Sequence, residues 1–142
     1  MFGEHAHEVR EYFITLSKLF QPTYMRGERE HVCPESARVF DEIPAVINKM
    51  SPLISARYQE ETDPCRKKTW YALTVHSQLC VFLATALSQK ASGLQADAEA
   101  IWALAVDYIT RLEPQTHDLL DTKYFVDVIG RVIRGERWLS GV

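Results

Sequence analysis

The fold is decided by residues 63–93, which read DPCRKKTWYALTVHSQLCVFLATALSQKASG. Asp63 suits the N-cap of a helix, and Pro64 suits its first position, where a missing N–H would have no intrahelical partner. Gly93 can close the last turn with a positive φ. Between these signals, side chains at helical spacing form one stripe of Trp70, Leu73, Ser77, Cys80, Ala84 and Leu87, and a second of Val75, Leu79, Phe82 and Ala86. A helix that is apolar on several faces is usually surrounded by other helices, so we predict the central, buried helix of an all-α domain.

A first helix is predicted from about Glu4 to Phe20, where apolar residues recur at three- and four-residue steps on one side. Pro22 ends this helix. Residues 21–34 are then expected to form the longest irregular connection in the chain, crowded with charged side chains.

Helical spacing returns between Val39 and Tyr58, but two prolines interrupt it. Each proline removes a backbone hydrogen bond and disfavours helix in the residue before it. The pattern therefore predicts either one kinked helix or a short helix to about Glu42 followed by a new one from Pro44.

Two further helices are predicted after Gly93, the first from about Gln95 to Leu112 and the second from about residue 117 or 121 to Arg134. Pro114 is expected to break the first of them. Short loops between successive helices favour antiparallel neighbours. We predict one domain over residues 1–142, an up-and-down bundle of four to five helices around the central one.

Composition points to an ordinary soluble domain. The chain has 142 residues, 46% hydrophobic and 25% charged, and a formal net charge of −3, which gives no electrostatic reason to expect nucleic acid. The longest apolar run, residues 79–87, is short of the roughly 20 residues that span a bilayer, and no signal peptide is recognisable. We expect no membrane partner, and the sequence does not indicate the cellular compartment.

The three cysteines are widely spaced, which argues against a disulfide framework or a thiolate zinc site.

Two Glu-x-x-His sequences, Glu4–His7 and Glu28–His31, are the strongest metal candidates. On a helix, residues three apart face the same way, and di-iron bundles use two such pairs with two further glutamates. The second pair, however, falls in the predicted connection, and the other helices place no Glu in their apolar stripes. A metal site at these four residues is therefore only the alternative interpretation, and no cofactor is expected.

Residues 2–28 carry a family resemblance. The order is Phe2-Gly3-Glu4, then Tyr12-Phe13, Leu16-Ser17, Leu19-Phe20 and Pro22-Thr23-Tyr24-Met25-Arg26-Gly27-Glu28. It resembles the start of the helical C-terminal region that follows the barrel in some bacterial glycoside hydrolases of the β-hexosaminidase-like kind. The resemblance implies an accessory module that packs beside a catalytic domain or helps it dimerise. In such enzymes the catalytic carboxylates belong to the barrel, which this chain does not contain, so no catalytic residue is carried over.

The favoured hypothesis is a non-catalytic module that acts by contact, either with the catalytic barrel of a parent protein or with a second copy. Apolar and aromatic residues near both ends exceed what the helical stripes need, and arginines surround them. The predicted interface comprises Tyr24, Met25, Arg26, Trp138 and Leu139. The alternatives are the metal site and a free-standing bundle that binds a small ligand or a partner helix between its own helices. A ligand-binding bundle predicts a sizeable pocket, whereas a contact module predicts an exposed apolar surface.

Overall fold

A computed structural model describes residues 2–116 and 122–134, and within them the chain is helical with no β-strand. A 3-10 turn, Gly3–His5, comes first. The helices are α1 Ala6–Leu19, α2 Pro22–Met25, α3 Pro34–Phe40, α4 Ile43–Glu60, α5 Pro64–Ala91, α6 Gln95–Thr116 and α7 Thr122–Ile133. The prediction of an all-α fold organised around residues 63–93 is confirmed.

Helix α5 is the centre of the molecule because four other helices pack on it. Its most extensive contacts are with α6 and α4, followed by α3 and then α7. Ala86 and Leu87 are completely buried. Phe82 is only half-buried, with its ring 5.7 Å from that of Tyr108 on α6. Both apolar stripes of α5 therefore contain completely buried residues.

The predicted ends of α5 are present. Asp63 has extended backbone and Pro64 starts the helix, although the Asp63 side chain makes no capping bond and lies 3.7 Å from Arg66 Nε instead. At the other end Gly93 has φ +87°. The Gly93 N–H donates to Lys90 O at 3.0 Å, and the Leu94 N–H donates to Gln89 O at 2.8 Å. These two bonds form a Schellman motif and satisfy the last carbonyls of the helix.

Helix α5 is also long and apolar enough to cross a bilayer by length and composition, and 56% of its apolar window is buried inside the protein. Burial of this kind is expected for the core helix of a bundle. The apolar character of the helix is thus used in packing against its neighbours.

Three of the four prolines before α5 lie in the first turn of a helix. Pro34 starts α3, and Pro44 lies in the first turn of α4, so the prediction of a short helix followed by a new one from about Pro44 is confirmed. Pro52 lies inside α4. The prediction that residues 21–34 are wholly irregular is wrong, because Pro22 also starts a helix, α2. Proline has the φ of a first helical residue and needs no N–H there.

Helix α6 continues past Pro114 to Thr116, so the predicted break at that proline is wrong. A proline near a helix end costs a single backbone bond and leaves helical dihedrals accessible to the last residues. The C-terminal end of α7 is held by two donors: Lys90 Nζ bonds Val132 O at 2.5 Å, and Gln95 Nε2 bonds Ile133 O at 2.7 Å.

Helix α1 lies against α4 and reaches α5 through a buried hydrogen bond of 2.8 Å between Tyr12 Oη and Ser77 Oγ. Beside it, Val9, Ile54, Trp70 and Leu73 form a second buried cluster, separate from the main core. Helices α1 and α4 border the groove described below, and the end of α4 also borders a second cavity.

Candidate functional site

The structure does not bring the four metal candidates together. Glu4 is highly exposed, with Oε1 3.6 Å from His5 Nε2, and His7 is also exposed. Glu28 forms an ion pair of 3.1 Å with Arg26, which lowers the pKa of that carboxyl through a hydrogen bond. Over residues 2–116 and 122–134, no three His, Cys, Asp or Glu side chains are placed to hold one metal ion.

Tyr24, predicted as an interface residue, is instead part of the core. It is 3% exposed, its ring packs edge-on at 5.2 Å from that of Phe40, and its hydroxyl donates to His31 O at 2.5 Å. An exposed surface cannot include it. The correction has a physical reason: α2 is a helix, and it turns Tyr24 toward α3 where an irregular loop was expected.

The other interface residues have mixed positions. Met25 is half-buried and packs against the main core, whereas Arg26 is exposed and pairs with Glu28. Trp138 and Leu139 lie outside the residues that the structure describes. The interface prediction therefore stays open for them.

A groove lies between α1 and α4. It encloses about 440 Å³. We call it the α1–α4 groove; its lining consists of Glu8, Glu11, Tyr12, Thr15, Val46, Lys49, Met50 and Leu53. The α4 wall repeats at spacings of three and four residues, so one helix face supplies it.

The groove has an apolar floor and charged edges. Tyr12 is 5% exposed and is hydrogen-bonded to Ser77, and burial raises its pKa to about 12, so its hydroxyl stays neutral at physiological pH. Two carboxylates, Glu8 and Glu11, lie along the α1 side, and Lys49 lies on the α4 side. The charges thus have opposite signs on the two walls.

The site residues predicted from the sequence did not include Val46, Met50 or Leu53. A signal was available, because Val46, Met50 and Leu53 form a second apolar row at four- and three-residue spacing. This row lies beside the fully buried row that contains Ile43 and Ile47. Two adjacent apolar rows make the apolar surface of α4 too wide to be buried by α5 alone.

The second cavity, which we call the N-terminal pocket, encloses about 360 Å³ where the start of the chain meets the α4–α5 turn. Phe2 and the 3-10 turn Gly3–His5 form one wall. Arg57 and Glu61 contribute from the end of α4, and Arg66 and Trp70 from the start of α5. The Phe2 ring meets the Trp70 ring edge-on, with centroids 5.0 Å apart.

The chain matches no protein-family model, no curated protein and no solved structure in the three corresponding comparisons.

Proposed function

We propose that this protein is a non-catalytic helical interaction module, an up-and-down bundle that receives an amphipathic helix of a partner in the α1–α4 groove. The observation that carries the proposal is the groove itself. It has an apolar floor of about 440 Å³ between two helices, with carboxylates on one wall and an amine on the other. Helix-in-groove recognition uses an apolar ridge seated between two helices.

The charges select the orientation and the kind of partner. A helix with a basic flank would meet Glu8 and Glu11 on α1, while an acidic residue on its opposite flank would meet Lys49 on α4. Complementary charges at the rim favour the correct partner and accelerate its encounter. A partner helix with an acidic flank toward α1 would be repelled.

The resemblance of residues 2–28 supports a more specific version of the proposal. It covers α1, which forms one wall of the groove, and it implies that the partner is the catalytic barrel region of a parent carbohydrate-active enzyme. The net charge of −3 supports a soluble module with a protein partner rather than nucleic acid. Sequencing the gene around this chain tests the parentage directly, since a barrel domain in the same reading frame is expected.

The groove is tested with two designed amphipathic helical peptides that share one apolar ridge. The first carries lysines on the flank that meets α1, and the second carries glutamates there. Fluorescence anisotropy of labelled peptides should show the basic peptide binding the full chain at least about tenfold more tightly than the acidic one. Equal affinities of the two peptides would mean that Glu8 and Glu11 do not distinguish a basic partner helix from an acidic one, and would contradict the proposal.

Variants locate the binding site. Leu53→Gln and Glu11→Lys should each weaken the basic peptide, because Leu53 supplies apolar lining and Glu11 supplies charge. Their matched controls on α6 are Leu104→Gln, at a side chain that is 54% exposed, and Glu99→Lys, also at an exposed site. If the α6 variants weaken binding as much as the groove variants do, the peptide binds elsewhere and the proposal is wrong.

A further inference from the structure

We propose that the N-terminal pocket is a second, independent site that binds a small zwitterion, specifically a free apolar α-amino acid. The pocket is separate from the α1–α4 groove, since the two share no lining residue. Its volume of about 360 Å³ falls within the range of roughly 300–1,000 Å³ that is usual for small-molecule sites.

The first observation is the charge balance of the lining. Two guanidinium groups, of Arg57 and Arg66, share the pocket with two carboxylates, of Glu4 and Glu61. A lining with both signs complements a ligand that carries both, whereas an ion of one sign would be repelled by half of it. A carboxylate and an ammonium one carbon apart, as in an α-amino acid, satisfy both kinds of group at once.

The second observation is a nitrogen atom of Arg57, Nε, that is buried without a hydrogen bond in this structure. His5 Nε2 also makes no hydrogen bond, but it lies 3.6 Å from the Glu4 carboxylate. Buried polar groups are nearly always paired, so an unpaired guanidinium N–H in a residue that lines a cavity points to an acceptor that would enter it. The Arg57 side chain is 31% exposed and lines the pocket, so a ligand carboxylate would lie beside this guanidinium.

Intramolecular contacts already use part of each arginine. Arg57 Nη2 pairs with Glu60 at 2.8 Å, and Arg66 Nε lies 3.7 Å from Asp63. A guanidinium has five N–H donors in a planar fork, so each arginine keeps donors for a carboxylate after one such pair.

The third observation is the apolar side of the pocket. The half-buried Phe2 ring lines the pocket, and the Trp70 ring, which is 2% exposed, supports it through the edge-on contact. Hydrocarbon placed against the Phe2 ring gains contact with aromatic surface. An amino acid with an aliphatic side chain therefore fits better than glycine or a charged amino acid.

Calorimetric titration of the full chain tests the proposal with three compounds: L-leucine, N-acetyl-L-leucine without the ammonium, and L-leucinamide without the carboxylate. L-leucine should bind, and each derivative should bind at least about tenfold more weakly. In a two-dimensional nitrogen–proton NMR spectrum, L-leucine should shift the indole N–H signal of Trp70. Absence of both heat and signal shift up to about 10 mM L-leucine would overturn the proposal, and so would equal binding of the three compounds.

Variants separate this site from the groove. Arg57→Gln and Glu61→Gln should each weaken L-leucine about tenfold, whereas Arg38→Gln, at an exposed arginine of α3, should leave it unchanged. Circular dichroism confirms that each variant is folded. A folded Arg57→Gln protein that binds L-leucine normally would overturn the proposal. The groove variant Leu53→Gln should keep L-leucine binding intact, so the two proposals can fail separately.

Discussion

At the scale of single residues, Lys90 is the most unusual side chain in the described part of the molecule. It is 4% exposed, and its Nζ lies 5.3 Å from the centre of the Tyr24 ring while it donates to Val132 O. Burial lowers the pKa of Lys90 from its ordinary value of 10.5 to about 8. The carbonyl and the ring favour the ammonium form and so limit this effect.

Lys90 should make stability depend on pH. Between about pH 8 and 10.5 the unfolded chain keeps a proton that the folded chain has lost, so the free energy of unfolding rises with pH. Above about pH 9 the buried Cys80 acts in the opposite sense, and above pH 10 Tyr12 and Tyr24 do so too, because burial raises the pKa of each of these groups to about 12. Urea unfolding from pH 8 to 9 should therefore show a rise on the order of 1 kcal/mol, which Lys90→Met abolishes. If the free energy of unfolding of Lys90→Met rises with pH as much as that of the unchanged protein, groups other than Lys90 cause the rise.

The cysteines should differ in reactivity. Cys33 is half-buried, and hydrogen bonds from Ser36 and Arg29 lower the pKa of its thiol. Cys80 is buried, and burial raises the pKa of its thiol to about 12. Because the thiolate is the reactive form, iodoacetamide at pH 8 should modify Cys33 and the exposed Cys65 while Cys80 reacts only after unfolding. Mass spectrometry of tryptic peptides measures the order, and early labelling of Cys80 would contradict its burial.

At the scale of elements, α5 has two faces of unequal importance. Leu87 is completely buried, whereas Phe82 is half-buried against Tyr108. Leu87→Ala should cost about 3–5 kcal/mol of unfolding free energy through cavity formation, and Phe82→Ala about 2–3 kcal/mol. Urea denaturation of both variants measures the difference. A larger loss for Phe82→Ala would mean that the contact between Phe82 and Tyr108 of α6 contributes more to stability than the buried Leu87 side chain does.

Local signals predicted the element boundaries wherever one residue type determines the backbone. Gly93 supplies a positive φ and Pro44 a helix start, and both could be identified from sequence. A proline inside a helical pattern was less informative about helix boundaries, because it can end one helix, begin the next, or be tolerated near a helix end. Pro22 begins α2, and Pro114 is tolerated near the end of α6. Only the packing of the folded chain decides between these outcomes.

At the scale of the whole molecule, α5 contributes to three buried clusters, which we expect to unfold as one cooperative unit. Trp70 belongs to the cluster beside α1, and Trp102 belongs to the main core. In a Trp138→Phe background, fluorescence therefore reports both clusters while circular dichroism reports the helices. The two urea transitions should coincide, as expected for a two-state domain. Separate midpoints would show that the cluster around Trp70 unfolds independently.

The candidate sites were harder to predict than the fold, because each joins residues that are distant in the chain. The N-terminal pocket combines Glu4 with Arg57 and Trp70, and no periodic pattern links them. The α1–α4 groove had a partial signal in the second apolar row of α4, but its width depends on how far α1 lies from α4. The error at Tyr24 has the same origin, since an aromatic residue in a charged segment shows no burial signal until α2 forms.

Pro52, inside α4, has a consequence for the groove. It has no N–H to donate to the carbonyl of Asn48, so the hydrogen-bond ladder of α4 lacks the rung between residues 48 and 52. Met50 and Leu53, which line the groove, lie in and beside this turn. Bending a helix is easiest at such a gap. The α4 wall of the groove is therefore easier to bend than a helix with a complete ladder. Under the proposed function, a small bend of this wall would adjust the width of the groove to the partner helix that enters it.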